Sequence, residues 1–426
     1  MRALPAPLLG AVDDAIVLAA GFGIAFVLVL PGAASTAFWV VAGLSLLRLP
    51  RRPAPLEPFE RAWIAALLLM PLVAALSLIH SADPGHGAGR IEKFLRFAMT
   101  VPILLTWRTG LGARAVGLWP LFVGFGALFA GLVALGQVGF GDWERASGAV
   151  HPIFFGDVAA ALAVLAAALA LRADAPRRLL LAAAAGGLLA AVLSGTRNAL
   201  LVLPVVALLA ILQGGNRLGL RTWLAGAAGS AVVLVFGILF VPDLPAHFAI
   251  GAREILAWLE GGPSVQASSL GGRLELWELC LTLWREHPWI GGGIGDYLRD
   301  ANALAEASGN SIFEVNPNLR DHAHSIYLQA LVGQGMLGLL VLLAVLLLPL
   351  WRGWMLLRQA TAKAEMALAA ACLSPALCFL VFGIGESWTV KNSFISIYLL
   401  LQAPLLAFVS GPCRRAGAGE GRAAAV

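Results

Sequence analysis

Charged residues are scarce in this chain of 426 residues, of which 12% are charged and 60% are hydrophobic. Soluble domains contain roughly 25% charged residues. A chain with about half of that content cannot expose most of its length to water. Apolar runs near the length that crosses a hydrocarbon core, about 20 residues, recur from end to end. The composition therefore predicts an all-α integral membrane protein.

Cysteine is also rare, and the four cysteines, Cys280, Cys372, Cys378 and Cys413, are irregularly spaced. Their spacing fits neither a disulfide framework nor a zinc site. Free cysteines generally behave as small buried hydrophobic residues, and that is the interpretation we adopt.

Several catalytic and binding motifs are missing. The sequence has no P-loop, no GxSxG elbow, no HExxH helix and no acidic pair suited to a metal-bound sugar nucleotide. The net charge of +5 is not gathered into a basic stripe with interleaved aromatic residues, so nucleic acid is not an expected partner. No cofactor and no metal site are predicted.

Hydropathy predicts about 12 transmembrane helices. The first apolar run contains Asp13 and Asp14 and continues into a span, so a cleavable signal is not expected. Two spans, 34–49 and 94–107, are short. The predicted spans are 15–31, 34–49, 61–80, 94–107, 114–139, 153–171, 178–194, 198–213, 222–241, 324–350, 365–385 and 392–410.

Arginine and lysine decide the orientation of these spans. They concentrate in alternate connections, such as the one that holds Arg51 and Arg52, and in both tails. The positive-inside rule makes these segments cytoplasmic, with both termini inside. The remaining connections then face outward.

One outward connection, residues 242–323, is much longer than the others. It contains two amphipathic helix candidates, near 247–260 and 273–286, and a glycine-rich turn near 288–295. We therefore divide the chain into spans one to nine (1–241), an extracytoplasmic loop domain (242–323), and spans ten to twelve with a cytoplasmic tail (324–426).

Polar residues near membrane spans are costly and indicate function by default. Arg197 lies in a turn after the seventh span, Arg273 begins an amphipathic helix, His322 and His324 precede the tenth span, and Glu386 ends the eleventh. All of them fall on the predicted outer side. Arg273 at a helix N-terminus is suited to bind an anion.

Structural roles for these residues are alternatives. A single interfacial arginine is commonly an anchor whose charge reaches the lipid headgroups, and a lone histidine at a helix end is commonly structural. His322 and His324 would be a poor metal pair on a helix, because residues i and i+2 do not share a face.

Four motifs in the middle of the chain resemble the O-antigen ligase and polymerase superfamily. A segment like H-[NS]-x-Y-L-x₅-G-x-x-G begins at His324, and a turn like S-x-[ST]-R ends at Arg197. A loop like R-x₃-W…P-x-x-G-x-G begins at Arg273. The segment from Arg145 to Gly156, with its His151-Pro-Ile-x-Phe-Gly sequence, looks like the ligase version of this region. The order and spacing of the motifs carry the resemblance, which covers about residues 90–340.

The resemblance implies a metal-independent, inverting glycosyl transfer. The ligase moves O-antigen polysaccharide from undecaprenyl diphosphate to the outer-core sugar of lipid A–core, at the periplasmic face of the bacterial inner membrane. Its expected partners are these two lipid-linked molecules and membrane lipids. A substrate already activated on a lipid suits an outer-face enzyme, which meets neither ATP nor nucleotide sugars.

The resemblance also suggests roles for individual residues. His324, with an ordinary histidine pKa near 6.5, would be the general base. Arg197 and Arg273 would bind the departing diphosphate. Secondary candidates are Arg145, Lys93 and Arg96 as guides for anionic lipids, Glu386 as a partner of His324 or of a sugar hydroxyl, and His322 and Tyr327.

Three alternatives remain at this point. An O-antigen polymerase shares the superfamily but joins two lipid-linked repeats, and a protein O-oligosaccharyltransferase is a further relative. A membrane transporter would be a different class of protein. Such a transporter would show an ion pair inside the membrane or two related halves with broken spans.

Overall fold

The structure, a computed structural model, describes residues 6–49, 54–141, 143–172, 175–202, 253–254, 256 and 270–410. The predicted span 222–241 lies outside these residues. The same is true of most of the span 198–213 and of most of the helix candidate 247–260.

Helices form all the regular structure of the described residues. Short π or 3₁₀ turns follow α4, follow α5, and lie at Pro317–Leu319 and Trp388–Val390. The helices are α1 (Ala6–Ala25), α2 (Ala33–Arg48), α3 (Pro58–Ser77), α4 (Pro84–Thr106), α5 (Gly112–Ala134), α6 (Pro152–Leu169), α7 (Arg177–Leu193), α8 (Arg197–Leu200), α9 (Gly271–Glu286), α10 (Tyr297–Ala307), α11 (Ile312–Val315), α12 (Ile326–Gln359), α13 (Lys363–Gly385) and α14 (Asn392–Val409).

Seven of the described helices, α1, α3, α5, α6, α12, α13 and α14, are long and apolar enough to cross a membrane. Helix α2 is apolar but shorter. The chain is therefore an all-α integral membrane protein, as its composition predicts. The count of about 12 spans stays a prediction.

The first helix differs from its predicted position. Hydropathy places the first span at 15–31, whereas α1 begins at Ala6 and ends at Ala25. The earlier position is possible because Asp13 has a partner: its Oδ1 lies 2.7 Å from Nε of Arg48 at the end of α2. Pairing lowers the cost of a carboxylate within an apolar helix.

Helix α14 lies at the centre of the bundle, where every residue from Phe394 to Val409 is buried. It packs against α2, α4 and α13, while α12 packs against α3, α13 and the loop helix α9. The loop helix is thus held directly on a membrane-spanning helix.

A break in α12 receives the glycine-rich loop that follows α9. At Gly335 the backbone leaves the helical region, with φ 66° and ψ −163°, and a Cβ there would overlap the backbone of Trp289. Met336 N donates to Pro288 O at 2.8 Å. Only glycine suits this position, which explains the glycines in both motifs and fixes the loop against the start of α12.

A buried ion pair joins the start of α3 to the end of α4. Glu60 Oε1 lies 2.6 Å from Arg108 Nε, and the side chains are 1% and 2% exposed. Arg108 also donates to the carbonyl oxygens of Ala54 and Pro55 at 3.2 and 3.0 Å. This arrangement fixes the chain entering α3.

Glu60→Ala is expected to lower the free energy of unfolding by about 3–5 kcal/mol, because Arg108 would lose its carboxylate partner in a buried position. Thermal unfolding of the purified protein in detergent, followed by tryptophan fluorescence, measures the change. Glu306→Ala, at an exposed position of α10, is the control and should unfold like the wild type. An unchanged transition for Glu60→Ala would show that the ion pair contributes little.

Candidate functional site

Two buried histidines, His322 and His324, lie in a bent segment that leads into α12. Their ring centroids are 4.0 Å apart. The segment is held on both sides of Ala323, whose carbonyl accepts from Trp277 Nε1 at 3.1 Å and whose N–H donates to Gln329 Oε1 at 3.0 Å. The objection that such histidines cannot share a face assumed a helix, which begins only at Ile326, and it does not apply here.

The ring of His324 presents an acceptor nitrogen. Its Nε2 lies 3.2 Å from the carbonyl oxygen of Asn318, and because a carbonyl only accepts, Nε2 is assigned the hydrogen. Nδ1 then carries a lone pair, and it is buried with no hydrogen-bond partner among the described residues. The backbone of His324 has φ 47°, a left-handed conformation that is uncommon outside glycine and is often found at functional sites.

Both histidines are neutral at neutral pH. Burial, together with the electrostatic interactions with His322 and Arg273, lowers the pKa of His324 from 6.5 to about 3. Burial, Lys391 and Arg273 lower the pKa of His322 likewise to about 3. A neutral imidazole can accept a proton, so the protonation state of His324 suits a general base.

Glu386 lies beside His322 and Lys391. Its Oε1 is 3.6 Å from His322 Nε2 and 3.2 Å from Lys391 Nζ, and its side chain is 0% exposed. His322 Nδ1 accepts from His324 N at 3.3 Å, so its own hydrogen is on Nε2 and faces the carboxylate. The hypothesis that Glu386 orients His324 is thus modified: Glu386 contacts His322, which in turn contacts His324.

His322, His324 and Glu386 also bring three ligand atoms within 4.8 Å of one another, near enough to hold a metal ion. The surrounding charge opposes this use. Lys391 already lies against the carboxylate, and Arg273 is close enough to lower the pKa of both histidines. A divalent cation here would face two positive side chains. We therefore interpret these three residues as a proton-transfer site.

Arg273 enters the site from the first turn of α9. Four residues later on the same face, Trp277 bonds to Ala323, which explains the spacing of the R-x₃-W motif. Burial lowers the pKa of Arg273, whereas Glu386 raises it. Its Nε is buried and has no hydrogen-bond partner among the described residues, and a Cβ added at Gly385 would lie 3.5 Å from its Nη1, in van der Waals contact.

Arg197 and Arg145 lie at the turn between α7 and α8. Gly195 makes the turn with φ 62°, and Arg145 crosses it, its Nε donating to Ser194 O at 2.8 Å. Burial lowers the pKa of Arg145, and the charge of Arg197 lowers it further. Arg197 also acts electrostatically on Arg273, so three guanidinium groups share one electrostatic environment.

Asp157 and Asn198 fix the position of this turn. Asn198 Nδ2 donates to Asp157 Oδ2 at 2.9 Å and to the carbonyl oxygen of Phe382 at 3.0 Å. These bonds join α6, α8 and α13 directly beside Arg197. Asp157 is completely buried, and the cost of such a carboxylate within a membrane helix indicates a specific role.

The structure places the other secondary candidates outside this cluster. Arg96 is 1% exposed; it pairs with Glu92 and donates to Ser35 and Ser396. It therefore packs between helices and does not face lipid, so the hypothesis that Arg96 guides lipids is not retained. Tyr327 donates to Leu380 O at 2.5 Å and joins α12 to α13. Lys93 donates to Val390 O, also at 2.5 Å.

Sequence reasoning missed Asp157, Asn198 and Lys391. Asp157 gave a usable signal, because it is a single carboxylate within an otherwise apolar span. Asn198 directly follows the S-x-[ST]-R turn and gave none. Lys391 was counted only among the outer basic residues, and its contact with Glu386 depends on a 3₁₀ turn that hydropathy does not predict.

These observations define an all-α membrane protein that gathers three guanidinium groups, two histidines and a buried carboxylate at one end of its helices. Residues 181–343 match the family model described as O-antigen ligase. The match includes Arg197, Arg273 and His324, and it supports membership of the O-antigen ligase superfamily, as the sequence motifs predict. It suggests a glycosyltransferase-like enzyme. No curated protein matches the chain.

Proposed function

We propose that the protein is an O-antigen ligase. It would transfer O-antigen polysaccharide from undecaprenyl diphosphate to the outer-core sugar of lipid A–core. The observation that carries the proposal is the electrostatic interaction of Arg273 with both Arg197 and His324, whose Nδ1 is a free acceptor among the described residues. Neither arginine forms an ion pair within the part of the chain that the structure describes, and an anionic substrate group would fill that role.

The reaction follows from these groups. The acceptor hydroxyl loses its proton to Nδ1 of His324, and its oxygen forms a bond to the anomeric carbon of the donor sugar. The bond from that carbon to the phosphate oxygen breaks, and undecaprenyl diphosphate leaves with the bonding electrons. Arg197 and Arg273 stabilise the negative charge on the departing oxygen. Attack opposite the leaving group inverts the anomeric configuration.

Glu386 and His322 hold the base in this scheme. The ordered contacts from Lys391 through Glu386 to His322 fix the tautomer of His322, and its Nδ1 accepts from the backbone N–H of His324. The Oε2 atom of Glu386 is also available for a sugar hydroxyl, since this oxygen has no hydrogen-bond partner among the described residues, whereas Oε1 pairs with Lys391. Arg145, on the turn that holds Arg197, would contact the donor diphosphate as it enters.

The proposed orientation places this site in the periplasm. Helix α8 begins, α13 ends and α14 begins at the site, which is the side with few basic residues in its short connections. By the positive-inside rule the opposite side and both termini are cytoplasmic. A transporter is disfavoured, because the charged groups assigned to the site gather at one end of the described helices.

Lipopolysaccharide gel profiles of a ligase-null strain test the proposal. Wild-type protein is expected to restore the ladder of long-chain lipopolysaccharide, and His324→Ala, at equal membrane abundance, is expected not to. Expression in a polymerase-null strain is the second arm. Restored chain length there, with no ladder in the ligase-null strain, would identify a polymerase and contradict ligase activity.

A further inference from the structure

A second polar cavity lies next to the histidine site. It is open to solvent and lies between α4, the start of α12 and the turn that ends at Val390. None of the residues assigned above to the donor diphosphate or to proton transfer lines it. Its polar side chains are those of Arg90, Lys93, Gln329, Gln334 and Thr389. We refer to it as the basic cavity.

The basic cavity is lined by positively charged side chains, and no carboxylate among the described lining residues neutralises them. Arg90 and Lys93, one turn apart on α4, both line it, and no acidic side chain among the described residues does so. Lys93 uses one N–H for Val390 O, which leaves two for a ligand. Two cations that share an open cavity repel one another, so an anion there would lower the free energy of the protein.

A buried amide provides an independent sign of a ligand. Gln334 is 3% exposed and lines the cavity, and its Nε2 has no hydrogen-bond partner among the described residues. An unsatisfied buried donor costs about 1–3 kcal/mol. A polar ligand in the basic cavity would satisfy this amide together with the two cations.

The basic cavity shares its walls with the catalytic site. Gln329 lines the cavity, and its Oε1 accepts from Ala323, between the two histidines. Thr389 and Val390 also line it, within the turn whose two flanks, Glu386 and Lys391, lie at the site. A molecule anchored in the cavity would thus be held beside His324, where the proposed reaction needs its acceptor.

We propose that the basic cavity binds a phosphate group of the acceptor glycolipid, separately from the donor diphosphate at Arg197 and Arg273. Arg90, Lys93 and the amide of Gln334 donate hydrogen bonds to this phosphate. The inference rests on the proposed function for the identity of the acceptor. The basic cavity would make the enzyme specific for its acceptor. Only a glycolipid with a phosphate at the right distance from its free hydroxyl would place that hydroxyl at His324.

Native mass spectrometry of the purified full-length protein tests binding without catalysis. The probe is lipid A–core from a strain that makes no O-antigen, either intact or chemically dephosphorylated. Wild-type protein should bind the intact form at least about tenfold more tightly, the loss expected for a missing charge-assisted hydrogen bond. Arg90→Gln/Lys93→Gln should reduce binding of the intact form to the level of the dephosphorylated form.

Two further variants keep the test decisive. Gln334→Leu removes the amide without removing charge and should weaken binding of the intact form alone, even where the double variant folds poorly. Arg285→Gln replaces an exposed arginine in the last turn of α9 and should bind like the wild type. Equal binding of intact lipid A–core by all variants would overturn the proposal.

Other ligands separate the possible sources of the phosphate. Binding of undecaprenyl diphosphate and of phosphatidylglycerol should be the same in wild type and in Arg90→Gln/Lys93→Gln. A loss confined to undecaprenyl diphosphate would assign the cavity to the donor, and a loss for all three lipids would show a general headgroup contact. Intact lipid A–core could bind as expected while the wild-type protein restores no lipopolysaccharide ladder in the ligase-null strain. That result would contradict the proposed ligase activity but support the phosphate site in the basic cavity.

Discussion

His324→Ala is expected to lower the rate of glycosyl transfer by about 100-fold to 10,000-fold, the range that a positioned general base supplies. The acceptor oxygen would have to attack without losing its proton to Nδ1, the ring nitrogen that has no hydrogen-bond partner among the described residues. Binding of both lipid-linked substrates should change little, because the guanidinium groups and the basic cavity remain in place. The loss should therefore appear in kcat and not in KM.

Transfer measured with purified protein, donor and acceptor in detergent gives both constants. His287→Ala is the matched control: this histidine stacks on His80, with ring centroids 4.2 Å apart, outside the cluster around His324. It should retain wild-type kcat. A His324→Ala variant that is folded and transfers at the wild-type rate would exclude His324 as the base.

The pH profile of the wild type follows from the same site. Because the pKa of His324 is lowered to about 3 in the free protein, the acid limb of kcat/KM due to this residue should lie far below the ordinary histidine value of about 6.5. A bound diphosphate would offset the positive charge of Arg273, and we expect it to raise the pKa of His324. The acid limb of kcat should accordingly lie at higher pH than that of kcat/KM.

Stability should change with pH in a related way. A histidine whose pKa is lower in the folded chain is protonated first in the unfolded chain, so the folded state loses stability as pH falls below about 6.5. His322 and His324 both contribute, since the pKa of each is lowered to about 3. Thermal unfolding between pH 7 and pH 4 should show a smaller pH dependence in the double variant His322→Gln/His324→Gln.

Arg273→Ala is expected to lower kcat by about 100-fold to 1,000-fold, the cost of removing one group that stabilises developing negative charge. Its guanidinium is buried among site residues, and its Nε has no hydrogen-bond partner in the part of the chain that the structure describes, so a substrate phosphate is the group that would use it. Arg273→Lys should restore little activity, because an ammonium group cannot form the paired hydrogen bonds of a guanidinium with phosphate. Because lysine retains the positive charge, comparing the Lys and Ala variants distinguishes the effect of the guanidinium geometry from the effect of the charge.

Arg285→Ala, on the same helix, is the control for Arg273. Arg285 is exposed in the last turn of α9, so its removal should leave kcat and KM for the donor unchanged. Single-turnover measurements at saturating donor report the chemical step. Wild-type rates for folded Arg273→Ala would contradict a role in stabilising the leaving diphosphate.

Much of this architecture could be predicted from the sequence. The scarcity of charge and the recurring apolar runs predicted an all-α membrane protein, which the structure confirms. The amphipathic period around Trp277 predicted a helix at 273–286, and α9 spans Gly271–Glu286. These properties depend on neighbouring residues along one chain, so local sequence is sufficient to specify them.

The contacts within the site depend on residues that are far apart in the sequence. Glu386 contacts His322, which precedes a different helix, and the position of Ala323 between the two histidines depends on Trp277 in α9. Hydropathy gives no information on such contacts. Hydropathy also assigned Arg96 to an outward-facing connection, although Arg96 is enclosed by its partners on α2 and α14.

The sequence by itself predicted the class of protein, a resemblance to the O-antigen ligase superfamily, and the arginines and histidine of the proposed chemistry, because motifs and hydrophobic periods are properties of a linear chain. Only the tertiary structure decided which nitrogen of His324 is an acceptor, that Glu386 contacts His322, and that Arg90, Lys93 and Gln334 share one cavity. Burial and proximity set pKa values and hydrogen-bond partners, and both arise only when separate helices pack together.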